Sequence, residues 1–312
     1  MKTYEKIYEL LSTCSDFISG EELASQLAIS RTAIWKGIKT LETKGITIQS
    51  QKNKGYHLVS GDLLVPSLIE KKSPPLKVFL NEQSISTQID AKAGIELGHP
   101  TNTLYLAPNQ TGAKGRFGRP FYASSQGGIY MSLRLSPDCD FHNLKPYTVL
   151  AAASLVKAIH RLTGIQCQIK WVNDVYLGNK KIAGILTEAI SSVETGTVTD
   201  LIIGIGINLV IKDFPDDLTD KAGSLFTEEC PISRNDLISE IWSIFYQTPE
   251  KDLIRYYKEQ SLVLDRLVSY QKDGHEYRGL VTDITDSGQL IISLKDGQKD
   301  TLSSGEISLT SW

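Results

Sequence analysis

A ten-residue segment in the first half of the chain combines glycines with cations. Residues 110–119 contain three glycines and three cationic side chains, Lys114, Arg116 and Arg119. A loop of this composition can close over an anion, because backbone amides and guanidinium groups both donate hydrogen bonds to anionic oxygens. A basic surface loop is the alternative interpretation. The segment lacks the Gly-Lys-Ser/Thr ending of a nucleotide-binding P-loop.

A second polar segment lies between two apolar stretches near the middle of the chain. Lys170-Trp171-Val172-Asn173-Asp174 precedes Lys181-Ile182-Ala183-Gly184-Ile185-Leu186. The Asn-Asp tip by itself is typical of a hairpin turn. Lys181, however, opens a strand that is apolar on both faces, and an unpaired buried cation is costly. Its ammonium group must therefore either extend to solvent or meet an anion.

A third segment, Gly204-Ile205-Gly206-Ile207-Asn208, is a weak signal by itself, because Leu209 stands where the dinucleotide-binding fingerprint has glycine. The four cysteines and five histidines are scattered along the chain. Their spacing is typical neither of zinc ligands nor of a disulfide framework. We therefore expect no metal site built by the protein.

The first sixty residues have the pattern of a small helical domain. Apolar residues recur at helical spacing in three segments, and Ser19 and Ser30 are suited to cap the second and third helices. An apparent hairpin follows, with the polar turn 51–54 at its tip. Three helices and a two-stranded wing describe a winged helix-turn-helix, in which the third helix lies in the major groove and wing lysines contact phosphates. The candidate DNA-binding residues are Arg31, Thr32, Trp35, Lys36, Lys39, Lys52 and Lys54.

The charge distribution agrees with this interpretation. The net charge of the whole chain is -3, but residues 1–60 carry eight Lys/Arg against six Asp/Glu. Such a local excess of positive charge can attract a polyanion, although a solvated surface is the alternative. The sequence shows neither a signal-peptide pattern nor an apolar run of membrane-spanning length, so we expect a cytoplasmic protein with no membrane partner.

Between the first domain and the rest of the chain, a linker with one or two helical turns is predicted at residues 61–75. Residues 76–261 mix strands and helices, which favours an α+β domain. Helices are predicted at 147–162 and, interrupted near Pro249, at 233–257. The predicted strands are 78–80, 104–106, 128–135, 168–170, 181–189 and 201–207. In residues 262–312, short apolar strands alternate with tight turns, which is typical of a small β-barrel.

Taken together and in this order, these segments resemble the bifunctional biotin protein ligases that also repress the biotin operon. The resemblance covers essentially the whole chain: winged helix, central ligase domain with a mixed sheet, and SH3-like C-terminal barrel. It implies that Ser86-Thr87-Gln88 is a biotin-binding segment, where the family has Ser-Thr-Asn. It also implies that Gln110 faces the biotin rings, and that the remaining biotin-binding residues are Lys114, Gly115, Arg116, Lys181 and Gly184. At residues 113–116 the family has Gly-Arg-Gly-Arg; Lys114 keeps the charge of the arginine without its bidentate geometry.

The resemblance also assigns the chemistry of the reaction. Lys181 bridges the biotin carboxylate and the α-phosphate, Phe121 stacks on adenine, and Asn208 bonds the adenine edge. Arg116 and Arg119 complete the ATP and adenylate site, and Asp174 lies near the incoming acceptor lysine. Lys181, Arg116 and Asp174 are thus the candidate catalytic residues. Joining a carboxylate to a phosphate requires neutralisation of anions by Lys, Arg and Mg²⁺ more than it requires a nucleophile.

ATP and biotin are therefore the implied substrates, with Mg²⁺ accompanying the ATP. The implied partners are a biotin carboxyl carrier domain of acetyl-CoA carboxylase or a similar protein, operator DNA, and a second copy of this chain in a ligand-promoted homodimer. Two alternatives remain. A lipoate-protein ligase shares the central fold, although the winged helix and the 170–174 segment argue against it. The other alternative is a repressor that senses biotin without catalysing its transfer. Activity on an acceptor domain distinguishes a ligase from such a repressor.

Overall fold

The computed structural model describes residues 1–73, 75–124 and 126–309 of the 312-residue chain. Pro74, in the predicted linker, and residues 310–312, at the end of the predicted barrel, lie outside the described residues. In the described ranges, no helix is both long enough and apolar enough to span a membrane.

The N-terminal residues form the predicted winged helix-turn-helix. Its elements are α1 (Thr3–Thr13), α2 (Gly20–Leu27), α3 (Arg31–Thr43), β1 (Thr47–Gln51) and β2 (Gly55–Ser60). The caps explain where the helices begin. The hydroxyl of Ser19 accepts from the Glu22 N–H at 3.0 Å, and that of Ser30 accepts from the Ala33 N–H at 3.2 Å. The helices enclose a core of their own, built from Ile7, Leu11, Leu23, Ile34, Ile38 and Leu41.

The linker is docked on the central domain. It contains α4 (Pro66–Lys72), which begins with a proline that has no N–H to leave unsatisfied. The Asp62 carboxylate accepts hydrogen bonds from the Arg234 backbone N–H at 2.9 Å and from its guanidinium Nε at 2.8 Å. The Asn235 side chain accepts from the Val65 N–H and donates to the Leu63 carbonyl. The side chain of Asp62 and backbone groups of Leu63 and Val65 are thus bonded to the start of α7, so this part of the linker is not a free tether.

The central domain is built on a mixed sheet. The pairing order of its main path is β3-β4-β5-β10-β9-β8-β7, with β3 and β4 parallel and the remaining neighbours antiparallel. A short strand, β6, also pairs with β10. The strands are β3 (Lys77–Leu80), β4 (Thr103–Ala107), β5 (Gly128–Leu135), β6 (Cys139–Asp140), β7 (Gln168–Lys170), β8 (Asp174–Leu177), β9 (Lys180–Ser191) and β10 (Thr197–Asn208).

Helices cover both faces of this sheet, which is why β10 is apolar on both of its faces. Leu201 and Ile203 join the main core with α6 (Tyr147–Thr163), α7 (Arg234–Gln247) and α8 (Glu250–Glu259). Ile202 points the other way and packs with α5 (Thr87–Glu96). The sequence did not predict α5, because small and polar residues occupy its buried side instead of an apolar stripe.

The C-terminal strands form an antiparallel sheet that packs on the central domain. They are β11 (Leu267–Lys272), β12 (His275–Ile284), β13 (Leu290–Leu294), β14 (Lys299–Leu302) and β15 (Ile307–Leu309). Their order is β14-β13-β12-β11-β15, and within the described residues the two outer strands do not pair with each other. The structure therefore shows an open antiparallel sheet, and the predicted closure into an SH3-like barrel is not confirmed. The indole N–H of Trp171 donates to the Gly288 carbonyl at 2.8 Å, which joins this sheet to the 170–174 segment.

Candidate functional site

A cavity of about 430 Å³ opens where the start of α5, the 110–121 loop and strands β9 and β10 meet. Residues 305–308 of the C-terminal sheet close one side of it. Its lining contains, among the described residues, two carboxylates, Asp174 and Glu306, against a larger set of cations. Those cations are Lys114, Arg116, Arg119, Lys170 and Lys181. The excess of positive charge suits an anionic ligand.

The backbone of Lys181 is fixed on both sides by a loop that the sequence did not single out. Its N–H donates to the Lys221 carbonyl, and its own carbonyl accepts from the Gly223 N–H, each at 2.9 Å. The ammonium group reaches the cavity and pairs with the Asp174 carboxylate at 2.6 Å. The sequence predicts that a lysine at the start of an apolar strand extends to solvent or pairs with an anion. Asp174 provides such an anion for Lys181.

A second lysine, Lys170, lines the same cavity, where its surroundings disfavour the charged form. Burial lowers its pKa from the ordinary lysine value, and the positive charge of Lys181 lowers the pKa further, while Asp174 opposes both effects. A bound anion would favour the charged form of Lys170. The sequence places Lys170 at the start of the polar 170–174 segment and predicts no role for it.

The glycine-rich segment forms a small hairpin at the mouth of the cavity. The Gly115 N–H donates to the Arg119 carbonyl at 2.8 Å, and the Phe121 N–H donates to the Ala113 carbonyl at 3.0 Å. Phe117 is at the tip, 67% exposed and with φ of 57°. The two arginines point in different directions. Arg116 donates to the Asn173 side-chain oxygen at 3.1 Å, whereas Arg119 forms an ion pair with Glu306 at 2.5 Å.

Glycines in β10 leave room for the side chains that line the cavity. A Cβ added to Gly206 would lie 2.4 Å from Cζ of Phe121, so the aromatic ring rests directly on the strand. A Cβ added to Gly204 would lie 3.0 Å from the side-chain oxygen of Gln88. The Gly-Ile-Gly spacing is thus explained by two side chains that approach the same face of the strand.

The first turn of α5 is attached to the sheet and to the loop. The Thr87 N–H donates to Oε1 of Gln110 at 2.6 Å, and the hydroxyl groups of Thr87 and Ser132 are 2.8 Å apart. Gln88 follows on the same turn and donates from Nε2 to the Glu188 carboxylate at 2.8 Å. Segments that are distant in sequence are therefore bonded to one another around this end of the cavity.

The cavity brings together most of the residues that the sequence analysis assigned to biotin and the nucleotide. They are Ser86, Thr87, Gln88, Gln110, Lys114, Gly115, Arg116, Arg119, Phe121, Asp174, Lys181 and Gly184. Asn208 is not in this lining. It ends β10, is buried, and its Oδ1 has no hydrogen-bond partner among the described residues. Glu306 was missed, because nothing in the sequence near the C-terminus indicates contact with a loop 187 residues earlier.

A basic surface is present on the winged helix. The residues proposed for DNA contact are exposed on α3 and in the turn of the wing: Arg31, Thr32, Trp35, Lys36, Lys39, Lys52 and Lys54. Trp35 is 54% exposed, which is unusual for a tryptophan unless a partner covers it. Part of the charge is already paired, because Arg31 contacts Glu21 and Lys39 contacts Glu42.

Three family models match consecutive parts of the chain. Residues 4–57 match an HTH domain, residues 83–208 match the biotin/lipoate A/B protein ligase family, and residues 264–310 match a biotin protein ligase C-terminal domain. A winged helix joined to a mixed sheet with a cationic cavity is therefore a ligase core that carries a DNA-binding domain.

Individual relatives agree with that class. The bifunctional ligase/repressor BirA of Bacillus spizizenii is 38% identical over 227 residues, covering 70% of this chain and 69% of its own length. The protein of that name from Escherichia coli is 26% identical and covers 98% of this chain and 97% of its own. The biotin protein ligase of Aquifex aeolicus, solved in complex with biotin and ATP, has a TM-score of 0.62 at 27% identity, over 74% of this chain and 97% of that one. The chain belongs to the family of bifunctional biotin ligase/repressors.

Proposed function

We propose that this protein activates biotin with ATP, transfers it to a lysine of a biotin carboxyl carrier domain, and represses transcription by binding operator DNA. The observation that carries the catalytic part is the cavity in which Lys181, Arg116 and Lys170 converge. In the first step a carboxylate oxygen of biotin attacks the α-phosphorus of ATP, and the bond to the departing pyrophosphate breaks. The reacting groups are both anionic, so fixed cations that hold them together lower the barrier.

Each side chain then has a distinct task. Lys181 leaves Asp174 or shares it, and bonds the biotin carboxylate and the α-phosphate. Arg116, Arg119 and Lys114 neutralise the phosphates, while Gly115 lets the hairpin approach the ligand. Gly184 leaves space beside the Lys181 side chain, since a Cβ there would lie 3.2 Å from Nζ. Phe121 offers a face for adenine.

In this proposal Asn208 and Mg²⁺ both interact with the nucleotide. The buried, unpaired Oδ1 of Asn208 is an acceptor for the adenine amino group. Mg²⁺ commonly binds through substrate phosphates with one or two carboxylates, and Asp174 is a carboxylate on the cavity wall. Among the described residues there is no cluster of three His, Cys, Asp or Glu that could hold the ion by itself. The metal would therefore enter with ATP and supply additional positive charge at the phosphates.

In the second step the amine of the acceptor lysine attacks the carbonyl carbon of biotinyl-adenylate, and AMP leaves. The attacking amine must be neutral, so a group near it has to take up a proton. We assign this task to Asp174, since its carboxylate is 2.6 Å from Nζ of Lys181, to which the proposal gives the reacting carboxyl group.

We further infer a division of the chain into a DNA-binding domain (1–60), a linker (61–75), a ligase domain (76–261) and a C-terminal domain (262–312). Five short antiparallel strands support an SH3-like barrel for the last of these. The exposed basic face of α3 and the lysines of the wing support contact with the major groove and with flanking phosphates.

Pyrophosphate release tests the catalytic proposal. With biotin and MgATP, the protein should release one pyrophosphate per active site in a burst and retain biotinyl-adenylate, because no acceptor is present to discharge it. Lipoate in place of biotin is the control for the related ligase activity. A burst that depends on lipoate and not on biotin would reassign the substrate, and a burst with neither would contradict the proposal.

Arg116→Ala is expected to release biotinyl-adenylate about tenfold faster, which corresponds to the loss of one charge-assisted hydrogen bond. The reason is that Arg116 joins the hairpin to Asn173 across the mouth of the cavity, as well as neutralising the phosphate. Rapid dilution of the preformed complex measures the dissociation rate. Arg161→Ala, at an exposed site on α6, is the matched control, and equal rates for both variants would contradict this role of Arg116.

A further inference from the structure

The amide of Gln88 is bonded at one end and unsatisfied at the other. Its Nε2 donates to Oε2 of Glu188 at 2.8 Å. Its Oε1 is buried and has no hydrogen-bond partner in the described part of the chain. The residue as a whole is 8% exposed and lines the cavity next to Gly204. A buried acceptor without a partner is unfavourable, so its presence at a binding cavity indicates that a ligand supplies the missing donor.

Glu188 determines which end of the amide faces the ligand. A carboxylate can only accept hydrogen bonds, so it attracts the NH₂ group of Gln88 and turns the carbonyl oxygen away. Its other oxygen accepts from Lys92 at 3.1 Å, one helical turn after Gln88 on α5. Both oxygens are thus bonded to α5, while the backbone of Glu188 is held in β9 opposite Ile202 of β10. This arrangement leaves Gln88 little freedom to exchange its two ends.

We propose that Glu188 is a positioning residue for substrate selection: it orients Gln88 so that this end of the cavity accepts only a ring carrying an N–H donor. The proposal rests on the function proposed above and deepens it. The cyclic urea of biotin has two N–H groups, whereas the dithiolane ring of lipoate has none. A site with a fixed, buried acceptor rejects a ligand that lacks the donor, because the acceptor would stay unpaired in that complex.

The experiment measures biotin binding by calorimetry in the absence of ATP. Glu188→Ala is expected to weaken binding about tenfold, since the amide can then rotate and Gln88 no longer presents its carbonyl in advance. At saturating biotin, kcat should stay close to that of the unsubstituted protein, because Glu188 touches no reacting group. Glu194→Ala removes an exposed carboxylate from the turn after β9 and is the matched control, with unchanged affinity expected.

A double variant distinguishes a role of Glu188 in positioning Gln88 from a general structural role of Glu188. Gln88→Met removes both polar ends of the amide while keeping a similar side-chain length. If Glu188 acts through Gln88, adding Glu188→Ala to this background should produce no further loss of affinity. Glu188→Gln preserves the size of the side chain and permits both amide orientations, so a smaller loss is expected; it replaces the alanine variant if that variant fails to fold.

The outcomes are distinct. A tenfold loss that disappears in the Gln88→Met background supports the proposal. Unchanged affinity of Glu188→Ala, or an equal loss in both backgrounds, overturns it. If the unsubstituted protein binds lipoate and not biotin, the proposed function fails instead, and that result is visible before any variant is compared.

Discussion

Lys181→Ala is expected to reduce the rate of biotinyl-adenylate formation roughly a hundredfold or more, a loss of about 3 kcal/mol or more in the transition state. The side chain contributes the cation between two reacting anions, and no other atom at that position can replace it. The fold should remain intact, because the loop at 221–223 bonds the backbone of residue 181 and not its side chain. Single-turnover measurement of adenylate formation is the appropriate assay.

Lys180→Ala is the matched control for this experiment. Lys180 immediately precedes Lys181 on β9 but packs against Gly223 and is not among the residues that line the cationic cavity. Its replacement should leave the adenylation rate within about twofold of that of the unsubstituted protein, as expected for a substitution outside the site. Near-normal adenylation by Lys181→Ala would remove this lysine from the mechanism, whatever the control shows.

Biotinyl-adenylate is expected to promote dimerisation, and thereby operator binding, by roughly 5- to 150-fold. One winged helix offers one recognition helix and a modest basic surface, too little for tight specific binding at physiological salt. A two-fold dimer presents two such helices to a palindromic site. Biotin alone should have a smaller effect, because it does not place an adenylate against the 110–121 hairpin.

The central sheet supplies a surface on which such a dimer could form. Strand β8 pairs with β9 only as far as Gly184. In the part of the chain that the structure describes, residues 186–191 of β9 therefore have no strand beside them on that side. An unpaired strand edge can bind the same edge of a second copy. Lys181 and Gly184 of the same strand line the cavity. A ligand bound there would therefore affect the conformation of the unpaired edge at residues 186–191.

The linker would carry such a change to the DNA-binding domain. Tyr8 of α1 donates to the Asp62 carboxylate at 3.4 Å, and Asp62 is bonded in turn to Arg234 of α7. Burial raises the pKa of Tyr8 to about 12, so its hydroxyl keeps the proton that it donates. These bonds join α1 to α7 through Asp62, and in a dimer they would help to set the spacing of the two recognition helices.

Sedimentation with and without adenylate measures the dimer population, and titration of operator DNA with the same samples measures affinity. Dimerisation must reciprocally tighten adenylate binding by the same factor. Arg234→Ala is expected to keep ligase activity and lose operator affinity, which separates the linker from the catalytic site. If the adenylate changed neither the dimer population nor the DNA affinity, the winged helix would not be controlled by biotin.

Strongly patterned elements could be predicted from the sequence. The helix expected at 147–162 is α6, Tyr147–Thr163, and the strand expected at 201–207 lies within β10, Thr197–Asn208. Their apolar residues are buried with the period of a helix or on both faces of a strand, which is the signal that the sequence carries. Helix α5 could not be found in this way, because Thr87, Gln88, Ala91 and Gly94 form its buried side.

The candidate site was predictable in part, for a related reason. Lys181 was identified because a cation in an apolar strand requires an explanation. Glu188 and Glu306 give no such signal, since a glutamate in a half-exposed strand or a terminal loop is ordinary. Their importance depends on contacts 100 and 187 residues away, with Gln88 and Arg119. The bonds of Arg234 to Asp62, 172 residues apart, are of the same kind.

Mass spectrometry of an acceptor domain tests the central claim most directly. A biotin carboxyl carrier domain is incubated with the pure protein, biotin, ATP and Mg²⁺, and its intact mass is measured. We expect the domain to gain the mass of one biotinyl group on a single lysine, only when ATP and biotin are both present, and not when lipoate replaces biotin. An acceptor that keeps its original mass under these conditions, while the protein still binds biotin and operator DNA, would contradict ligase activity and leave a repressor that only senses biotin.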